Sequence, residues 1–224
     1  MTRDPIDFEF LARAPLFRGA QPQQINGMLG CLGATQRAYA KGELILRRGQ
    51  RAKTMGLVLA GSVSIESSDI SGSVSVLGHV GPGRVFAETY AALPEEPMVV
   101  DVVALEPTRV LFLNVAQVMH TCSHACAHHQ LIADNLFAIF ARKNLGLSQR
   151  IFSSAPKSIR GKVLAYLAFQ ASANQSLEFD IPFNRQQLAD YLGVDRSALS
   201  AELSHMAKEG ILETRRSHFR LFEQ

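Results

Sequence analysis

The sequence predicts an α+β fold in three consecutive parts: an all-β N-terminal half, one long helix, and a C-terminal helix-turn-helix domain closed by a wing. Three observations carry that expectation. Between Ala34 and Asn114, short β-patterned runs alternate with glycines. After Asn114 the apolar period changes from two residues to about 3.6, and no proline interrupts the pattern before Phe152. Finally, two short amphipathic stretches flank Gly193. The expected divisions are residues 1–114 with helices at the N-terminus, 115–152 for the long helix, and 153–224 for the terminal domain.

In the first part the β-patterned runs are 43–46, 56–59, 62–65, 73–77, 99–103 and 109–113. Gly42, Gly49, Gly61, Gly72, Gly78, Gly81 and Gly83 fall between or beside them, where tight turns join paired strands. Many short strands at close intervals imply a sandwich or barrel. The helical pattern that follows is longer than its own domain would need to cover. Ile132, Leu136, Ile139, Phe140, Lys143 and Leu147 share one broad face, which reads as the seam of a homodimer. Ser153-Ser154-Ala155-Pro156 then ends the helix.

In the terminal domain, residues 185–192 read as a helix, Gly193 supplies the positive φ that ends it, and Asp195 stands where an N-cap belongs. Leu188, Ala189 and Leu192 face Leu199, Leu203 and Met206 of a second helix, so the pair shares a small core. Beyond Gly210, alternating segments around Thr214 to Phe222 suit a two-stranded wing whose tip is Arg215-Arg216-Ser217-His218. This geometry turns the first turn of the second helix outward. Arg196, Ser197 and Ser200 then reach base edges in a DNA major groove, and the Arg196 fork matches guanine O6 and N7, a pairing that discriminates by about 1–3 kcal/mol. Arg185, Gln186, Lys208, Arg215 and Arg216 are placed to meet phosphates.

Composition narrows the classes. At 224 residues, 47% hydrophobic and 19% charged, the chain is globular and long enough for two cores. No uninterrupted apolar span fits a membrane helix, the acidic start lacks a signal-peptide core, and three cysteines suit a reducing compartment, so a cytoplasmic location is expected. A formal charge of only +3 requires any nucleic-acid contact to come from a local patch. No catalytic constellation is visible, and the chain reads as a non-enzyme.

Order and motif together resemble the Crp/Fnr family of bacterial transcription regulators across nearly the whole chain. The carrying residues are Lys41-Gly42-Glu43-Leu44-Ile45, Gly49, Gly61-Ser62-Val63, Gly81-Pro82-Gly83-Arg84-Val85-Phe86-Ala87-Glu88, Phe183-Asn184-Arg185-Gln186-Gln187-Leu188-Ala189 and Asp195-Arg196-Ser197-Ala198-Leu199-Ser200. The resemblance implies a cyclic-nucleotide-binding-like β-roll (a double-stranded β-helix), a dimerisation helix and a winged helix-turn-helix. Its implied partners are a palindromic double-stranded DNA operator, a second copy of the chain, RNA polymerase and a small effector. Family members that bind cyclic AMP hold its phosphate with an Arg-Ser pair beyond the cassette glutamate; here Met98-Val99 stands at that place, and Ala87 replaces the glycine before Glu88. Cyclic AMP is therefore disfavoured. Arg84, Glu88, Lys143, Leu147 and Ser148 remain as candidate effector contacts. In the second helix Ser197 and Ala201 replace the family's usual glutamate and second arginine, which argues against the family's consensus operator.

A different sensor is conceivable in residues 120–129. At 100° per residue Cys122, Cys126 and His129 project into one sector, and thiolates with an imidazole suit a metal such as zinc or iron, or haem, with Cys31 or a partner chain completing the shell. The expected function is thus a homodimeric, sequence-specific transcription regulator under effector or redox/metal control. The alternative is a metal- or haem-binding redox sensor.

Overall fold

The computed structural model describes residues 5–69, 73–119 and 127–222. These divide into two compact units, residues 1–140 and 141–224.

The first unit opens with α1 (Phe8–Arg13), a short 3-10 turn (Pro15–Phe17) and α2 (Pro22–Cys31). Asp7 caps α1 by accepting the Phe10 N–H at 2.9 Å, and a Gln21/Gln24 capping box with Pro22 in the first turn starts α2. Eight strands follow: β1 (Thr35–Tyr39), β2 (Leu44–Leu46), β3 (Thr54–Ala60), β4 (Val63–Ser68), β5 (Val74–Val80), β6 (Val85–Phe86), β7 (Asp101–Ala104) and β8 (Thr108–Asn114), with α3 (Glu88–Ala92) between β6 and β7. They form two four-stranded sheets, ordered β1-β8-β3-β6 and β2-β7-β4-β5, with antiparallel pairing throughout. Each expected run contains a strand. The structure adds β1 and β6, which carry no glycine-bounded apolar run of their own.

The continuous apolar run in β8 has a direct cause. Val110 and Phe112 point between the sheets with Val58, Val63, Phe86 and Val102, while Leu111 and Leu113 point to the helical layer with Leu11, Phe17 and Ile25. Both faces of this strand are buried, so its pattern is unbroken rather than alternating. Gly56 of β3 lies against the Phe86 ring, which occupies the space a Cβ would need.

The helical segment is described as α4 (Val115–Met119) and α5 (Ala127–Ser154). Here one expectation is corrected. Ile132 and Leu136 are fully buried within their own unit, in the cluster of Leu11, Leu16 and Phe17, and Ile139 and Phe140 pack against it. Asn135 fixes this docking by donating to the carbonyls of Leu16 at 3.0 Å and Arg18 at 2.8 Å. From Ile132 to Phe140 the face assigned to a dimer seam is therefore intramolecular, while Lys143 and Leu147 of the same assignment are exposed: a 3.6-residue period shows that a helix face is buried, but not against what. Phe137, Leu145, Ile151 and Phe152 are exposed as well. At 100° per residue Leu145 and Phe152 lie nearly opposite the Ile132–Leu136 face.

The second unit contains α6 (Ile159–Asn174), β9 (Glu178–Asp180), α7 (Arg185–Leu192), α8 (Arg196–Lys208), β10 (Leu212–Arg215) and β11 (His218–Leu221). Leu188, Ala189, Leu192, Leu199, Leu203 and Met206 are buried as expected, together with Val163, Tyr166, Leu167 and Phe219. The wing has three strands, ordered β10-β11-β9, where two were expected. Strand β9 precedes the helix pair and pairs Phe179 with Phe219.

Candidate nucleic-acid interface

Helix α7 begins at a capping box. Asn184 Oδ1 accepts the Gln187 N–H at 3.0 Å, and Gln187 Oε1 accepts the Asn184 N–H at 2.9 Å. Gly193 ends the helix with φ +62°, and Lys162 of α6 donates to the Leu192 carbonyl at 3.1 Å, placing a cation at the negative helix end. Asp195 caps α8 by accepting the Ala198 N–H at 2.8 Å. Two capped helices and a glycine turn leave little freedom in how α8 is presented.

Of the residues proposed to read bases, Arg196 and Ser197 lie exposed in the first turn of α8. Ser200 is half-buried and donates its hydroxyl to the Arg196 carbonyl at 2.9 Å, so its oxygen remains as an acceptor. Among the residues proposed for phosphates, Gln186, Arg215 and Arg216 are exposed, and Gln186 also donates to Asp190 at 2.8 Å. Lys208 lies at the far end of α8, about 18 Å from Arg196 along the axis. Arg185 departs from the rest. It is half-buried, its Nη2 donates to Thr214 Oγ1 at 2.7 Å, its Cζ lies 5.1 Å from the Phe219 ring centroid, and burial lowers its pKa below the usual arginine value. Arg185 and Arg216 flank a cleft of about 480 Å³ between the start of α7 and the wing turn.

At the wing tip Arg215 pairs with His218, leaving Arg216 and Ser217 as the turn, and Arg216 takes φ +57°. A non-glycine residue in that region costs roughly 1–2 kcal/mol. His218 Nε2 lies 3.2 Å from Glu178 Oε1 and its Nδ1 3.3 Å from Asp180 Oδ1, tying the turn to β9. Residues the sequence reading overlooked hold α8 from behind: Arg160 Nε donates to Glu202 at 2.7 Å and its Nη2 to Glu209 at 2.8 Å. These partners are far apart in sequence, and no local pattern marks them.

The candidate effector residues occupy both units. Arg84 is exposed and Glu88 buried in the first, while Lys143 and Leu147 are exposed and Ser148 half-buried in the second. Met98, at the position expected to hold a cyclic phosphate, is 2% exposed and packs in the intersheet core with Val58 and Phe86. Ala87 adopts φ +58°. Of the candidate metal set, Cys122 and Cys126 lie outside the described residues. His129 is 3% exposed with no hydrogen-bond partner at either ring nitrogen among the described residues, and Cys31 is exposed at the end of α2. Among the described residues no group of three or more His, Cys, Asp and Glu side chains could hold a metal ion, and no helix is long and apolar enough to cross a membrane.

A two-sheet β-domain followed by a long helix and a winged helix pair with an exposed arginine on its second helix defines a DNA-binding regulator. Comparisons agree: residues 36–124 match the cyclic nucleotide-binding domain family, and residues 161–222 match the Crp-like helix-turn-helix domain family. The chain belongs to the Crp/Fnr family of transcription regulators, with a sensor domain and a helix-turn-helix domain. Members of this family are regulators rather than enzymes. The chain is similar to the catabolite activator protein of Thermus thermophilus at 26% identity, with 94% of each chain covered and a TM-score of 0.52. The same fold occurs in the c-di-GMP responsive global regulator CLP of Xanthomonas campestris at 17% identity, covering 89% of this chain and 100% of that one, with a TM-score of 0.53. It occurs again in CprK complexed with OCPA, at 16% identity, covering 88% and 89%, with a TM-score of 0.54. No curated protein matches the sequence.

Proposed function

We propose that the protein is a homodimeric, sequence-specific transcription regulator that binds a palindromic operator and answers to a small effector other than cyclic AMP. The observation that carries this reading is Arg196, free of the core at the first turn of a helix capped at Asp195 and held from behind by Arg160. The exposed Leu145 and Phe152, seven residues apart on one face of α5, support a dimer, because apolar side chains of that size are a favourable surface to bury against a second copy. RNA polymerase is the further partner this reading implies. Selection of duplexes from a random library by the full chain tests it: enrichment of an inverted repeat with half-sites one helical turn apart supports the reading, and no enrichment removes it.

Met98 and the core around it argue against the cyclic phosphate of cyclic AMP, which leaves a small molecule of another kind as the effector of this reading. A second reading places the signal at a metal or haem held by Cys122, Cys126 and His129. His129 favours it, since a buried imidazole with neither nitrogen hydrogen-bonded is costly unless something else engages it. Elemental analysis of anaerobically purified protein separates the two: stoichiometric metal supports the second reading, and negligible metal leaves these residues as core.

A further inference from the structure

Arg185 differs from every other cation proposed for the DNA surface in having its guanidinium already engaged. Thr214 on β10 and Phe219 on β11 are cross-strand partners in the wing, and Arg185, the first residue of α7, contacts both. Resting on the DNA-binding reading above, we propose that Arg185 is a positioning residue that braces the wing against the first turn of α7, rather than a phosphate contact.

The base of the wing is fixed by Phe219, which shares the core with Leu188, Ala189 and Leu192 of α7, and by the Ile181 N–H, which donates to the Ser217 carbonyl at 2.9 Å. The Arg185–Thr214 hydrogen bond links α7 directly to β10. A planar guanidinium is well shaped for this role, because its edge donates to a hydroxyl while its face lies over an aromatic ring, which an ammonium cannot do with both groups at once. Half-burial of the charge is offset by those two contacts, and it leaves the group less open to solvent than Arg215 and Arg216, which are exposed. Bracing sets the spacing between the wing tip and Arg196, so a local contact acts on the whole DNA surface.

The test uses the full chain with Thr214→Val, Arg185→Met and the double variant. Operator affinity is measured over a range of salt concentrations, and amide exchange of the wing turn is measured without DNA. Thr214→Val removes the acceptor without changing charge. The brace predicts that each single variant weakens operator binding about tenfold, that the double variant is no weaker than the worse single one, and that wing amides exchange faster in all three. The proposal is overturned if Thr214→Val binds as wild type while Arg185→Met lowers the slope of log K against log salt by about 0.9 per contact, the signature of a lost phosphate. It is overturned equally if the two single effects multiply. Should Arg185→Met not fold, Thr214→Val alone decides by its affinity and wing exchange. If the wild-type chain binds no duplex, the DNA reading fails separately, and exchange rates decide the brace: faster exchange upholds it and unchanged exchange removes it.

Discussion

Arg160 Nε donates to Glu202 at 2.7 Å, tying the first turn of α6 to the side of α8 that faces away from the proposed DNA surface. The same guanidinium reaches Glu209, whose carboxyl is held below the usual carboxylate range by the Arg160 hydrogen bond, while Arg160 is pushed above the usual arginine value by Glu209 and Glu202. A carboxyl depressed in the folded state contributes stability that is fully present above its unfolded pKa, about 4.3, and is lost as pH falls through the lower folded value. Arg160→Met is therefore expected to lower Tm at neutral pH, by an amount that shrinks as pH falls below about 4.3. A loss that does not change with pH would show that Arg160 acts by packing and not by charge.

Ala87 is the N-cap of α3 and occupies the left-handed region at φ +58°, where the side chain is strained and glycine is not. Relief of that strain exceeds the added entropy of a glycine in the unfolded chain. Ala87→Gly should raise stability by roughly 0.5–1 kcal/mol in denaturant unfolding. A lower midpoint would mean the surrounding loop depends on the Ala87 methyl.

Met98 is locked at both ends, its N–H donating to Gln50 at 2.9 Å and its carbonyl accepting from Gly49 at 2.7 Å, with its side chain in the core. Calorimetry with cyclic AMP and cyclic GMP should show no saturable binding at micromolar concentrations, an affinity of roughly 8 kcal/mol. Met98→Arg should not create a phosphate site. It would bury an unpaired charge between the sheets and destabilise the domain by at least about 3 kcal/mol, read by chemical denaturation.

The two faces of α5 make opposite predictions. Ile139→Glu strikes the face packed on its own unit and should reduce stability, whereas Leu145→Glu strikes the exposed face and should yield folded monomers. Sedimentation equilibrium and thermal melting of both variants decide this. Monomers from Ile139→Glu with unchanged Tm would return the seam to the face the sequence first indicated.

That exchange of faces shows where sequence reading stops. The end of α7 and the start of α8 were legible to the residue because they are written locally, in Gly193 and in the cap at Asp195. The strands from β2 onward were legible where β-branched runs meet glycines. Strand β1 was not, since Thr35–Tyr39 is polar and pairs at the edge of its sheet, and neither was β6, whose two residues are too short to show a period. The roles of Ile132 and Arg185 depend on partners more than a hundred and about thirty residues away in sequence, such as Phe17 and Thr214. Spacing reports that a side chain will be buried or charged, but only the packed chain says what it meets.

The central claim is that the exposed first turn of α8 reads DNA sequence through Arg196. Competition binding of wild type and Arg196→Ala to a selected operator against random duplex measures it most directly. The account predicts that Arg196→Ala loses discrimination by about 1–3 kcal/mol per half-site while affinity for random duplex falls far less. An unchanged ratio of operator to random affinity in Arg196→Ala would contradict it.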